Sequence, residues 1–346
     1  MSLTPGAEAG MQDADSGEDA GDEALELSSL IAVAGVTPFY KRHWGHLGPP
    51  ASGERRLQDL PVLRRDDLLL REKSADIYGG RRTIAQGSLL YLFTPQSFAL
   101  TPLAPVGDPT FYVGLTQDER ARLVDLVSRQ WMGLGLSSGS TVVAMSWGND
   151  PFVMGIVSAV GGMGSYLGPA VEDMLGLTVV RLEIATQEAQ RSHAVIELFR
   201  PQVVFSNAEH MRAVQQRLGS QSLADFGVET VVVREDTPLP EAERAALETA
   251  WKVPVLQLLQ VWEAFFYAQE CHARNGFHIA RDLYSVEITD DTGRALADGA
   301  TGLLTVTSRF SRGMPLVRYQ SSVRGHIEHA RCACGSCGPR FIAANS

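Results

Sequence analysis

Residues 203–251 read VVFSNAEHMRAVQQRLGSQSLADFGVETVVVREDTPLPEAERAALETAW, and this stretch decides the fold. Val203-Val-Phe205 and Thr230-Val-Val-Val233 are short runs rich in β-branched residues, the pattern of strands buried on both faces. Ala208 to Leu218 carries helical apolar spacing, and a second helix runs from Pro240 to Trp251, opened by proline. Strand and helix alternating at this pace predict a parallel sheet covered by helices.

The same rhythm extends toward the N-terminus. Thr141-Val-Val-Ala-Met145 and Leu177-Thr-Val-Val-Arg-Leu182 read as strands, with helices over Phe152 to Leu167 and Gln187 to Phe199. Thr116 and Glu119 form the sequence pattern of a capping box, and Leu123, Leu126, Val127 and Trp131 follow at helical spacing. Asp66 is a candidate N-cap after the linker through Leu60-Pro61, and Leu30 to Gly35 reads as a helix. On the other side, Val255 to Phe266 is apolar enough for a buried strand and helix. After residue 280 the character changes. Leu283 to Ile288 and Gly302 to Thr307 flank the polar turn Asp290-Asp-Thr-Gly293, which predicts antiparallel strands. The expected fold class is α/β, a mostly parallel sheet with covering helices plus a β-rich C-terminal subdomain.

The chain has 346 residues, 45% hydrophobic and 20% charged, the balance of a soluble globular protein that can bury a core. Its net charge is −10, and eight acids lie between Glu8 and Glu26 with no Lys or Arg before Lys41. That leaves about −2 for the rest (−10 plus 8), no basis for nucleic-acid binding. Residues 1–28 are expected to be a disordered acidic tail, residues 29–280 the α/β core, and residues 281–346 the β-rich subdomain. No apolar run reaches the ~18 residues of a membrane span and no signal peptide opens the chain, so a cytoplasmic location is expected.

Four segments, in order, carry a resemblance: Phe39-Tyr40-Lys41-Arg42 with Leu60-Pro61; Pro238-Leu-Pro240-Glu241; Trp262-Glu263 through Glu270-Cys271 and Gly276-Phe-His278; and Pro315-Leu-Val-Arg-Tyr319 with the later Cys332-Ala-Cys334-Gly335-Ser-Cys337 segment. Together they resemble the phenylacetate–CoA ligase-like branch of the adenylate-forming enzymes. The resemblance implies an adenylate-forming N-terminal lobe, here without the C-terminal lid domain that carries the family's catalytic lysine. It further implies that Glu263 contacts magnesium or the adenylate, unless it is only a helix-terminal acid in a retained scaffold. Arg318 would grip a carboxylate or phosphate, or else serve a structural ion pair. Trp147, Phe152, Gly164 and Tyr166 fall where the family builds its acyl or aryl pocket, the alternative being ordinary core packing.

The departures cluster on ATP. The stretch matching the family's phosphate loop, residues 93–102, has no glycine and two prolines, so it offers few backbone donors to a phosphate. Glu235-Asp236-Thr237-Pro238 replaces a glycine-rich adenine turn, Leu259, Gln260 and Trp262 replace neighbours of Glu263, and Val323 stands where the ribose-binding Asp would be. ATP, Mg2+ and CoA are thus not carried over with the fold. The expectation is a protein that binds or transfers a small aromatic or acyl carboxylate, or its thioester, without ATP-dependent activation. Two rivals stay open: an active aryl/acyl–CoA ligase completed by a lobe supplied in trans, and a non-catalytic scaffold that dimerises or docks a partner protein.

The four cysteines sit at Cys271 and at Cys332, Cys334 and Cys337. Such spacing with a distant Cys/His pair reads as a metal site and not as disulfides. Cys271, His278, Cys332 and Cys334 would supply a tetrahedral Cys3His set for structural zinc, with Cys337 or His272 as substitutes for one of them. His193 and His210 are expected as surface or core residues of helices.

Overall fold

A computed structural model describes residues 18–47, 55–69, 76, 78–84, 91–93, 113–146, 150, 152–158, 168–184 and 189–344. The helices are α1 (Glu18–Gly35), α2 (Pro38–His43), α3 (Arg65–Leu68), α4 (Gln117–Met132), α5 (Val171–Leu175), α6 (Ala189–Phe199), α7 (Ala208–Leu218) and α8 (Glu241–Trp251). Two short strands, β1 (Tyr91–Phe93) and β2 (Val113–Leu115), pair by themselves. The others are β3 (Thr141–Ser146), β4 (Thr178–Glu183), β5 (Val203–Ser206), β6 (Thr230–Glu235), β7 (Val255–Val261), β8 (Phe266–Glu270), β9 (Phe277–His278), β10 (Tyr284–Thr289), β11 (Gly302–Ser308), β12 (Tyr319–Glu328) and β13 (Arg340–Ala343).

These eleven strands form one sheet in the order β10-β11-β12-β13-β9-β8-β7-β6-β5-β3-β4. The β4-β3-β5-β6-β7 half is parallel, as the apolar strand runs predict. From β7 to β10 every pairing is antiparallel. The C-terminal strands continue the sheet edgewise and do not form a second one, because β8 and β9 bridge β7 to β13.

Side chains alternate between two apolar layers. Val204, Val231, Val233 and Val255 face α7 and α8 through Met211, Val214, Leu247 and Trp251. Phe205, Val232, Leu256 and Leu258 face the other way, toward Leu123, Val127 and Trp131 of α4. The Thr116 capping box forms as read: its hydroxyl accepts from Glu119 N–H at 3.2 Å, and the Glu119 carboxylate accepts from Thr116 N–H at 2.7 Å.

Three expectations differ from the structure. Residues 18–28 are helical and not a tail, because Glu23 and Glu26 reach the buried Arg309 guanidinium at 3.0 and 2.7 Å. Asp66 does not cap α3; the Arg64 N–H is instead taken by Asp67 at 2.8 Å. The helix expected from Phe152 begins as a π-helical turn, Phe152–Val157, and its remainder from 159 to 167 lies outside the described residues.

Candidate functional site

β7 leaves the parallel half of the sheet and turns back through a single tight turn, Trp262–Ala264, into β8. Phe265 closes this turn at φ 46°, a left-handed conformation, so the reversal is sharp and Glu263 projects from its tip. Facing it, β12 starts at Tyr319. Leu63 clasps that strand from outside: Leu63 N–H donates to Arg318 O at 2.8 Å and Gln320 N–H to Leu63 O at 2.8 Å. The clasp brings Arg64 and Arg65 alongside. A cleft of about 350 Å³ results, lined by these two arginines, Asp236, Gln260, Trp262, Glu263, Tyr319 and residues 320–323.

The positions that sequence reading singled out around Glu263 and Val323 therefore converge on one cavity. Glu263 is 9% exposed, bonded to Arg65 at 3.2 Å and to the Tyr319 hydroxyl. Burial raises its carboxyl above the ordinary range, against the pull of Arg65 and Tyr319. Asp236 lies nearby and accepts from the Trp262 side chain. Glu235, beside it, is committed elsewhere: its carboxylate accepts from Ala208 N–H at 2.8 Å, where α7 begins. Val323 presents an apolar, buried side chain to the cleft.

Arg318 does not line the cavity. It is 1% exposed with φ 54°, and its guanidinium meets Glu287 at 2.9 Å, the Gly293 carbonyl at 3.0 Å and the Leu60 carbonyl. Those bonds place it in a structural ion pair behind the cleft. Phe152 is also fully buried, its ring 5.2 Å from Phe205 and 4.8 Å from Tyr267. Trp147, Gly164 and Tyr166, and the glycine-free stretch from 94 to 102, lie outside the described residues.

A second constellation forms at the seam between β8, β9 and β13. Cys271 follows β8, His278 ends β9, and Cys332 and Cys334 precede β13, which pairs with β9 through Arg340 and His278. The four ligand atoms of Cys271, His278, Cys332 and Cys334 all lie within 4.8 Å of one another. Cys271 and Cys332 sulfurs are 3.6 Å apart, as are Cys334 Sγ and His278 Nε2. A tetrahedron with metal–sulfur bonds of ~2.3 Å has edges of about 3.8 Å, so the spacing fits a zinc-sized ion. Burial and the charge of Arg340 lower the His278 pKa, which keeps the imidazole neutral and able to ligate. Burial pushes the Cys271 thiol up to about 11, and a divalent cation would draw that proton off. Cys337 is exposed and stands outside the cluster.

Sequence reading missed a third group, Asp150, Arg234 and Tyr267, which gathers beside Gln260 under the cleft. One signal was available: Arg234 follows three buried valines near the C-terminal end of β6, and the C-terminal ends of parallel strands are where open α/β sheets hold ligands.

No family model matches the chain. The curated phenylacetate-coenzyme A ligase of Thermus thermophilus is 24% identical over 329 residues, 89% of this chain and 66% of its own length. A solved structure of 2-hydroxyisobutyryl-CoA ligase with 2-HIB-AMP and CoA, in the thioesterification state, matches at TM-score 0.75 and 18% identity, over 94% of this chain and 67% of that one. An open conformation of the same ligase matches at TM-score 0.71 and 18% identity, over 93% and 68%. The chain thus has the phenylacetate–CoA ligase-like, adenylate-forming fold and spans just under two thirds of that curated relative's length.

Proposed function

We propose that this acyl/aryl–CoA ligase-like chain binds a small aromatic or acyl carboxylate, or its thioester, and has lost ATP-dependent activation. The charge of the cleft carries the reading. Its two arginines are already engaged, Arg65 with Glu263 and Arg64 with Gln320 at 3.0 Å and the Asp291 carbonyl at 2.7 Å. Asp236 and Glu263 add negative charge, and the apolar Val323 offers no acceptor for ribose hydroxyls. Asp236 and Glu263 thus balance Arg64 and Arg65, so these four groups leave the cleft without the net positive charge that would draw in a triphosphate.

Calorimetric titration of ATP·Mg2+ into the full chain tests this. The expected result is no saturable heat at millimolar ATP, with saturable binding of small aryl or acyl acids or their CoA thioesters. Tight ATP binding would overturn the proposal. It would support a second reading, an ATP-dependent aryl/acyl–CoA ligase, which Glu263 favours: its carboxylate stays in the cleft, where it could hold Mg2+.

Cys271, His278, Cys332 and Cys334 are read as a structural zinc site. The four protein ligands leave no open position for chemistry, so the metal would act on folding alone.

A further inference from the structure

Below the cleft, four polar side chains converge in a place where an apolar core would be expected. Arg234 lies near the end of β6 and Gln260 near the end of β7, while Tyr267 stands directly opposite Gln260 across the β7–β8 pair. Opposed residues share a face of the sheet. Asp150 reaches in from the segment after β3: one carboxylate oxygen accepts from Phe152 N–H at 2.9 Å and the other pairs with Arg234. Phe152, Phe205 and Trp262 surround the Arg234 guanidinium, with ring centroids 5.6, 5.5 and 5.0 Å away.

The group is buried yet unfinished. Gln260 is 1% exposed, and among the described residues neither its amide nitrogen nor its oxygen has a partner; Tyr267 is 0% exposed, and its hydroxyl has none among them either. One terminal nitrogen of Arg234 is likewise without a hydrogen bond among the described residues. A buried polar group left unpaired has given up its hydrogen bonds to water with nothing in return, so a fold seldom keeps several together without an occupant. Gln260 also lines the cleft, which links the cluster to the cavity.

The free atoms define what would satisfy them. Arg234 offers a donor, Gln260 a donor and an acceptor, and Tyr267 a hydroxyl able to do either. The Arg234–Asp150 pair cancels in charge. Burial, reinforced by Asp150, holds the Tyr267 phenol well above its ordinary value, so it too stays neutral. A neutral group that both donates and accepts is required, and the three rings favour a flat neighbour.

The geometry points to a specificity pocket in which Arg234, Gln260 and Tyr267 read a hydroxyl on the aromatic ring of a small aryl carboxylate or its thioester. Asp150 acts as a positioning residue that holds Arg234. The inference rests on the reading of this chain as a carboxylate- or thioester-binding protein, and it names the class of ligand.

The test is equilibrium titration of the full chain with phenylacetate, its three ring-hydroxylated isomers, and the CoA thioesters of all four, followed by calorimetry. At least one hydroxylated isomer is expected to bind about 10-fold or more tightly than its unsubstituted parent, since a site built around a hydroxyl rejects the analogue lacking it. Tyr267→Phe and Gln260→Leu should each shrink that advantage to within about threefold, read as the ratio of the two affinities measured on the same variant. A circular-dichroism spectrum and a cooperative thermal transition matching wild type show that each variant is folded. If the compounds bind and no hydroxylated isomer is preferred, or if both variants keep the wild-type ratio, this inference falls and the proposed function stands. If no acid or thioester binds, both fall together.

Discussion

The Tyr40 hydroxyl donates to the Pro315 carbonyl at 3.1 Å and accepts from Val317 N–H at 2.9 Å. Two segments 275 residues apart, each read as part of one resemblance, are therefore joined by a single fully buried oxygen. Burial pushes this phenol up to about 12, so it remains a neutral donor and acceptor at any pH the fold tolerates. Tyr40→Phe would leave both backbone groups buried and unpaired, and the expected loss is about 1–3 kcal/mol of stability. Urea unfolding of the variant at constant m-value measures it; an unchanged midpoint would show that the backbone finds other partners. Arg318 teaches the same lesson from the other direction. Its residue type left a gripping cation and a structural ion pair equally open, because Glu287 and the Gly293 carbonyl, which hold it, carry no sequence mark linking them to it. Ligand chemistry is written in residue types, whereas the pairing of a buried cation is written in the fold.

At the scale of elements, the β10–β11 hairpin shows how a turn is fixed by one side chain. The Asp290 carboxylate accepts from Thr292 N–H at 2.9 Å, the Thr292 hydroxyl at 2.6 Å and Arg294 N–H at 3.0 Å. Gly293 follows at φ 88°, with Val62 packed so close that a β-carbon would meet it at 2.6 Å. These bonds, led by the Thr292 hydroxyl, hold the Asp290 pKa down to about 2 from the usual 3.8. Because the folded value is depressed, its stabilising contribution is present above pH 3.8 and disappears as pH falls toward 2. NMR titration should give an Asp290 midpoint near 2. Amide exchange at Thr292 and Arg294 should quicken across that window, and Asp290→Asn should abolish the pH dependence. A midpoint near 3.8 would mean that the turn is open in solution.

Elements of this kind also mark what the sequence makes legible. β3, β5 and β6 are apolar on both faces and sit between helices of clear periodicity, so their residues alone specify them. β9 has two residues and β13 four, too few for any pattern, and both are fixed by their neighbours: β9 lies between β8 and β13, and β13 between β9 and β12. The cysteine cluster was legible because few residue types bind zinc. The Asp150–Arg234–Tyr267 group was not, because its members come from separate elements and only their convergence makes them a site.

For the whole molecule, that pair of short strands is the seam on which integrity depends. The parallel half and the C-terminal hairpins are joined through β9, which contributes two registered residues to β8 and two to β13. Few backbone hydrogen bonds span the seam, and a join so thin is where subglobal opening would start. Cys271, His278, Cys332 and Cys334 straddle it, drawing the end of β8, β9 and the approach to β13 onto one point. With zinc bound there, its binding free energy becomes part of the stability of the seam. A chelator that strips the metal should remove several kcal/mol, on the order of 3–5, and lower Tm by roughly 5–15 °C. Hydrogen exchange should rise first at Phe277, His278 and residues 340–343, while β3, β5 and β6 stay protected until global unfolding. Restoring zinc should restore both. Protein that carries no zinc as purified and binds none on addition would remove the metal from this account. Zinc released without any change in exchange at β9 and β13 would leave it bound there with no part in holding the sheet together.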